Sequence, residues 1–406
     1  MTTWNELEAK SLHTRNNPAR SVPVGGLAAP KRGAGPVRAL VHHLYVHLPF
    51  CAHRCGYCDF VTVLGGRGQD GAYVDALLAE LQLEPEALAE SPETIFLGGG
   101  TPTFTDPAQL ARLLAALPPT QELTVEANPE TITPALAALL REHGVNRLSL
   151  GVQSFQPHLL EVLERRATPQ VLQAAFRTAR EAGFDNVSLD LIYGIPGQSE
   201  ADLHADLAAT LALEPEHVSC YELEAKPGTR FTRAHGEALA FQAEAMEGYF
   251  ELVVATLTSA GYRWYETANF CRTEADRDLR AHHNLGYWLG RDYLGVGVGA
   301  VSTIGGLRWR NAPSLPRYVA ALGRGEAPPR EPEPLDEATK ARERILLGLR
   351  LDEPLSTAGL TDVLDLDAVE RLERLNLVQR SAAAAELTLT RRGRFLGGGV
   401  TAELLA

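Results

Sequence analysis

From residue 43 onward, short β-rich runs alternate with longer runs of helical period, and no other feature limits the possible folds as sharply. The strand candidates are His43–Leu48 and residues 94–97, 123–126, 147–151, 187–191 and 217–221. Between them, apolar residues recur at helical spacing over 73–83, 107–117, 134–143, 169–182 and 200–211. Asp106-Pro107, Thr133-Pro134 and Thr168-Pro169 are helix-start signals, an N-cap followed by proline at the first helical position. Strand–helix alternation at this spacing predicts parallel strands joined by right-handed crossovers. Six units predict an α/β fold, a partial (β/α)6 TIM-like barrel. A doubly wound sheet would show a phosphate-loop fingerprint early, and Gly98-Gly99-Gly100 continues as Thr101-Pro102-Thr103 instead. In such barrels the chemistry sits at the carboxyl ends of the strands.

The rhythm changes after about residue 230. Residues 239–260 read as one long helix, and 263–310 are rich in aromatics and glycine. The proline-rich stretch 328–334 reads as a linker. Residues 335–406 read as two or three helices and a hairpin around 381–390, a small C-terminal α+β, winged-helix-like module. The expected organisation is a tail over 1–40, a barrel core over 41–230, a barrel extension over 231–327, the linker, and the module over 335–406. The tail carries Lys10, Arg15, Arg20, Lys31, Arg32 and Arg38 against Glu6 and Glu8; a targeting segment is the other reading, and the run Pro23 to Pro36 favours disorder.

A formal charge of −13 opposes binding to a phosphate backbone. The C-terminal module is balanced, with ten Lys and Arg against twelve Asp and Glu over 335–406. No nucleic-acid partner is expected, and packing or lid duty suits the module better. No window approaches the eighteen or so apolar residues of a membrane span. The five cysteines make no disulfide framework. Three of them crowd together, which fits metal binding in a reducing compartment and a cytoplasmic location.

Those three are Cys51, Cys55 and Cys58, at C-x3-C-x2-C spacing in the loop that leaves the first strand. Three thiolates can hold three irons of a cubane and leave the fourth iron open to a small molecule. Four cysteines would close the cluster and suit it to electron transfer. The alternative is a zinc site completed by His47 or His53, although zinc spacings usually come as two Cys/His pairs.

The cluster loop is followed in order by Gly98-Gly99-Gly100-Thr101-Pro102-Thr103, Leu150-Gly151-Val152-Gln153-Ser154-Phe155 and Asp190-Leu191-Ile192-Tyr193-Gly194-Ile195-Pro196-Gly197-Gln198. As a set these motifs, spread over about residues 43–400, resemble the oxygen-independent coproporphyrinogen III oxidase-like group of radical S-adenosylmethionine (SAM) proteins. The resemblance implies a [4Fe-4S] cluster on the three cysteines and SAM as its ligand. It assigns to SAM the backbone of Gly99, Gly100 and Thr101, the strand-end carboxylates Glu126 and Asp190, and Gln153 with Arg165 near the SAM carboxylate. A tight turn would equally explain the glycines, and helix capping the two acids; Arg166 competes with Arg165. Tyr45 and Tyr57 flank the cluster loop as shields or adenine platforms, or as core. Glu224 matches a family position that contacts adenosine through its backbone.

Within the group, the bona fide oxidases carry a further cysteine two residues after the last cluster cysteine, where this chain has Phe60. That departure resembles the HemW-type haem chaperones, as does His282-His283-Asn284-Leu285-Gly286-Tyr287-Trp288. The resemblance implies haem as cargo, an apo-haemoprotein acceptor of the respiratory chain, and an external electron donor. His283 suits an axial haem ligand, with Tyr287 and Trp288 as a flat apolar wall. The alternative is an aromatic loop packed under the barrel with His283 bonded to the backbone. Where many relatives have a histidine after the Gly-rich run 295–299, this chain has Val301. The competing activity is coproporphyrinogen III oxidation, a radical oxidative decarboxylation to protoporphyrinogen IX.

Overall fold

The computed structural model describes residues 40–406 except 67, 85–86, 227–229 and 382. The segment read as a tail, 1–40, lies outside the described residues except for Leu40. The central sheet has nine strands: β1 His43–Leu48, β2 Thr94–Gly99, β3 Glu122–Ala127, β4 Arg147–Gln153, β5 Val187–Tyr193, β6 His217–Glu222, β7 Tyr262–Glu266, β8 Asn269–Arg272 and β9 Leu294–Val296. Their order is β9-β1-β2-β3-β4-β5-β6-β8-β7. Strands β1 to β6 are parallel neighbours, β9 adds in parallel outside β1, and the β7–β8 hairpin closes the other side antiparallel to β6. This is the α/β partial barrel that the alternation predicts.

The crossovers are α1 Asp70–Leu83, α2 Pro107–Ala116, α3 Pro134–Glu142, α4 Pro169–Glu181 and α5 Glu200–Leu213. The start signals act as read: Asp106 accepts from Ala108 and Gln109 N–H, Thr133 from Leu136, and Thr168 from Val171. Period-two alternation then sorts the strand side chains. Leu44, Val46 and Leu48 of β1, Leu123 and Val125 of β3, Leu148 and Leu150 of β4, and Val187 and Leu189 of β5 pack with the helices in one apolar core. The alternate residues on the enclosed face are mostly polar: His43, Tyr45, His47, Glu122, Thr124, Glu126, Arg147, Ser149, Ser188 and Asp190. The barrel therefore has a polar interior.

Two readings are corrected. Residues 239–260 form two helices, α6 Arg230–Ala243 and α7 Met246–Ser259. Gln242 is anchored at the break, donating to the Gln198 carbonyl at 2.8 Å and to Tyr249 at 3.2 Å, so tertiary bonds end the helix. The supposed linker is a strand, Arg330–Pro334, paired with Leu307–Asn311. It is the outer strand of its three-stranded sheet, where a proline costs no ladder bond. The C-terminal module holds a three-stranded sheet that includes the expected hairpin, Val378–Ser381 with Glu386–Leu389. It docks through Arg394, which donates to the Trp264 carbonyl at 2.8 Å with its guanidinium 3.6 Å from the Trp264 ring centroid. No helix among the described residues is long and apolar enough to cross a membrane.

Candidate functional site

The cysteine loop is clamped at its neck. Residues Phe50–Cys51 pair with Val63–Leu64, and the Gly-rich segment is stitched to them by Gly100 N–H to Leu48 O (2.8 Å) and Thr101 N–H to Phe50 O (2.9 Å). The packing explains the glycines. A Cβ on Gly100 would stand 2.5 Å from the Pro49 carbonyl oxygen, and Gly99 has φ of 109° with its Cα against the His47 ring. The turn therefore requires glycine whatever else the backbone does.

Cys51 is buried, Cys55 and Cys58 are half-buried, and all three are free thiols. A turn bond from Cys58 N–H to Cys55 O at 3.2 Å folds the last two together. Cys51 Sγ lies 3.5 Å from Thr101 Oγ1, and Arg165 Nη1 lies 3.9 Å from Cys55 Sγ. Burial pushes the Cys51 thiol up and the Cys58 thiol to about 11. Thiols so placed ionise when a metal supplies the charge. The donor set fits a three-thiolate cluster beside a guanidinium. Of the zinc alternative's candidate fourth ligands, His47 is engaged at both nitrogens, by Val61 O (2.8 Å) and the Tyr45 hydroxyl (3.0 Å), while His53 Nε2 is bonded to Glu164 O (2.9 Å) and lies 3.7 Å from Cys55 Sγ.

Around the loop, the strand ends bring most of the other sequence candidates together. Glu126 Oε2 accepts from Gly99 N–H at 3.2 Å. Burial first, then the neighbouring Asp190, raise its carboxyl to about 8, against the pull of Gly99 N–H and Arg147. Asp190 accepts from Ser149 (3.1 and 2.9 Å) and Ser188 (3.2 Å), and burial raises it too. Arg165, with 4% of its side chain exposed, donates from Nη2 to Gly151 O (2.8 Å) and Asn128 Oδ1 (3.0 Å). Gln153 sits at a bulge in β4 with φ of 68°, a strained conformation for a residue with a side chain, and strain of this kind concentrates at functional sites.

Tyr45 stacks on Phe96 with centroids 6.2 Å apart. Tyr57 packs against the apolar cluster of Leu159, Leu163, Ile192 and Phe231 behind the loop. Glu224 is exposed just beyond β6, 3.6 Å from Lys226. Asn128, absent from the sequence reading, is the joint of the site. Its Nδ2 donates to Thr101 Oγ1 at 2.9 Å while its Oδ1 holds Arg165, so it couples the Gly-rich segment to the guanidinium. The available signal was its place two residues after Glu126, at the exit of β3.

His283, Tyr287 and Trp288 stand elsewhere. The helix His282–Trp288 closes the amino-terminal floor of the barrel, opposite the cysteines. His283 is 1% exposed, with Nδ1 2.8 Å from Thr94 Oγ1 and Nε2 2.8 Å from the Tyr287 hydroxyl. Burial drives its pKa well below the ordinary value. With both nitrogens engaged in the core, His283 is not placed as a haem ligand. Trp288 is packed against Tyr265 and Leu285, under the Arg350 guanidinium at 4.4 Å. In this arrangement the motif packs as a floor, and the partners of His283 are side chains rather than the backbone.

Three cysteines at the mouth of a partial barrel, with a Gly-rich turn and two acids at adjoining strand ends, define a radical SAM protein. Residues 45–209 match the Radical SAM superfamily. The heme chaperone HemW of Mycobacterium tuberculosis (strain H37Rv) is 38% identical over 390 residues, covering 92% of this chain and 97% of that one. HemW of Bacillus subtilis (strain 168) is 34% identical over 385 residues, 89% and 98% of the two chains. Coproporphyrinogen III oxidase (HemN) from Escherichia coli, described as a radical SAM enzyme, superposes with a TM-score of 0.74 at 25% identity over 90% of each chain. The chain belongs to the HemW family of the radical SAM superfamily.

Proposed function

We propose that this chain is a haem chaperone that carries a [4Fe-4S] cluster on Cys51, Cys55 and Cys58 and binds SAM at the strand ends beside it. Gly99, Gly100 and Thr101 present backbone groups to SAM, Glu126 and Asp190 accept from its hydroxyls or ammonium, and Arg165 with Gln153 takes its carboxylate. Tyr45, Tyr57 and the Glu224 backbone complete the surroundings. When bound and reduced by an external donor, the cluster supplies the electron for radical SAM chemistry. The chain's own residues orient the ligand, exclude water from the polar lumen and hold protons on Glu126 and Asp190. Haem is the cargo, passed to an apo-haemoprotein of the respiratory chain in the cytoplasm. The haem contact is not assigned to His283, Tyr287 or Trp288.

The observation that carries this reading is Phe60, at the position of the oxidases' additional cysteine, in a chain that aligns along nearly the full length of HemW proteins. The likeness in fold to HemN is what favours a second reading, coproporphyrinogen III oxidation. One anaerobic reaction with SAM, reductant and coproporphyrinogen III, beside a haem titration, separates them. Stoichiometric haem binding without protoporphyrinogen formation is expected. Protoporphyrinogen formation would establish the oxidase, and failure to bind haem would end the chaperone reading.

A further inference from the structure

Arg147, the first residue of β4, is 2% exposed, yet among the described residues its guanidinium has no hydrogen-bond or ion-pair partner; its Nε is fully enclosed. Its register partner on β3, Thr124, is also fully buried, with Oγ1 unpartnered. Buried polar atoms are nearly always bonded, so two orphans side by side mark a chamber kept polar for a reason other than packing. Two residues along the same face of each strand stand Ser149, which holds Asp190, and Glu126. Among the described residues neither carboxylate is ion-paired: Glu126 accepts from a backbone N–H and Asp190 from serine hydroxyls. The enclosure thus holds two acids above one unbonded cation, and with both acids ionised its excess negative charge is closed by a cationic ligand.

We propose that Arg147 is the positioning residue of this site: its guanidinium, held apart from both carboxylates, is the fixed counter-charge that sets when Glu126 and Asp190 are ionised together to receive a cationic nucleoside. The inference rests on the SAM-site reading above and assigns its control to a residue that does not touch the ligand. Other groups that act on Glu126 are Tyr45 from β1, Tyr287 from the floor helix, Tyr221 from β6, Gly99 N–H from β2 and Cys51 from the cluster loop. Cys220 and Tyr221 are the further titratable neighbours of Asp190. The tyrosines and Cys220 are held neutral by burial, so Arg147 is the permanent charge that pulls both carboxyls down.

The probe is 5′-deoxy-5′-dimethylsulfonioadenosine, which keeps the ribose and the sulfonium charge of SAM but has no amino-acid group to titrate. Its affinity for the full-length, cluster-loaded protein is measured from about pH 6 to about pH 9.5. In the wild type, affinity rises with pH to a break near the Glu126 value of about 8. In Arg147→Met the break moves up by at least about one unit, making binding about fivefold weaker at pH 8 and about tenfold weaker at pH 7, and the curves converge at the alkaline end. Arg147→Lys, which keeps the charge, returns the wild-type break. An unshifted break in Arg147→Met, or an equal loss at every pH as a purely structural role would give, overturns the inference. Should the methionine variant fail to fold, the wild type decides alone. Calorimetry in two buffers of different ionisation enthalpy is expected to show about one proton released on binding at pH 7, and no release refutes the claim that the acids ionise together to receive the ligand. Failure of the wild type to bind either the probe or SAM would instead refute the SAM-site reading.

Discussion

Replacing Asn128 by alanine removes two hydrogen bonds at once, and the structure says which functional parts come loose. The Thr101 hydroxyl loses its 2.9 Å donor, and Arg165 Nη2 loses its 3.0 Å acceptor, keeping Gly151 O at 2.8 Å and Glu130 at 3.9 Å. A neutral bond contributes about 1 kcal/mol and a bond to a charged group about 1.5–3 kcal/mol. Asn128 is half-buried, so water recovers part of each. The net effect expected is about 1–2 kcal/mol, or about a five- to thirtyfold loss of SAM affinity. The assay is equilibrium dialysis of SAM against cluster-loaded protein, with iron and sulfide determined on the same sample. Cluster content should stay at the wild-type level, because Asn128 touches none of the cysteines. Asn128→Asp keeps the acceptor for Arg165 and loses the donor to Thr101, and should retain most of the affinity. An alanine variant within twofold of wild type, or an aspartate variant as weak as the alanine one, would refute the claim that Asn128 works by holding Arg165.

Three further outcomes follow from the same geometry. Gly100→Ala would press a methyl against backbone at 2.5 Å from Pro49 O and 2.9 Å from Phe50 O, neither of which yields without moving Cys51; a loss of about 1–3 kcal/mol and a lower iron content are expected, and unchanged melting and iron would contradict it. Glu126 has a folded-state pKa of about 8, above its ordinary value, so the native state keeps a proton that the unfolded chain has released and stability falls as pH rises through that window. Glu126→Gln in ligand-free protein should therefore melt higher than wild type at pH 8, with the gap closing toward pH 4.5; a pH-independent gap would contradict this sign. His43 and His47 are both held down to about 4, and His217 and His283 well below ordinary, all by burial. The unfolded chain takes up protons below about pH 6.5 and the native one does not, so urea unfolding of cluster-free protein should show stability dropping by several kcal/mol between pH 7 and pH 4.5; a flat profile would mean that these rings are not sealed.

What could be read from the sequence was what neighbours in the chain decide. Strand–helix alternation and the Asp-Pro and Thr-Pro caps fixed the first six strands to within a residue or two, because period and capping are local. Errors came where distant residues decide. The run 328–334 has the proline punctuation of a linker, but Leu307–Asn311 supplies it a strand partner. Nothing near residue 244 breaks a helix; Gln198, some forty-four positions away, takes the side chain of Gln242. The site behaved likewise. Cysteine spacing and the motif resemblance named the residues around the loop, whereas Asn128-Pro129 reads only as a helix entry and Arg147 only as a polar strand start. His283 lay in an aromatic run that suits haem as well as it suits a core. Its bond to Thr94, 189 positions away, is what favours the core.

The interior of the barrel carries the last step. A barrel built only for stability fills its lumen with layers of branched aliphatic side chains. This one lines it with histidines, tyrosines, serines, threonines and acids, and polar groups in such a place cost more than they return unless each finds a partner. At the floor most do, His43 Nε2 and Trp288 Nε1 excepted. His43, Thr94, His283 and Tyr287 form one chain of 2.8 Å bonds, and His217 bridges Ser188 and Tyr265, whose hydroxyl accepts from Ala281 N–H. From Arg147, at the start of β4, up to the cysteine loop, Thr124 Oγ1, Arg147 Nε and Arg165 Nε are enclosed and unbonded among the described residues, and Glu126 and Asp190 are acids without an ion pair there. The closed floor holds the barrel together, and the open layer toward the cysteines is shaped for a polar, positively charged ligand. On the proposed reading, cargo handling and SAM binding fall to separate surfaces, and substitutions in the lumen should lower SAM affinity while leaving haem stoichiometry unchanged; a lumen variant that loses haem would refute the separation.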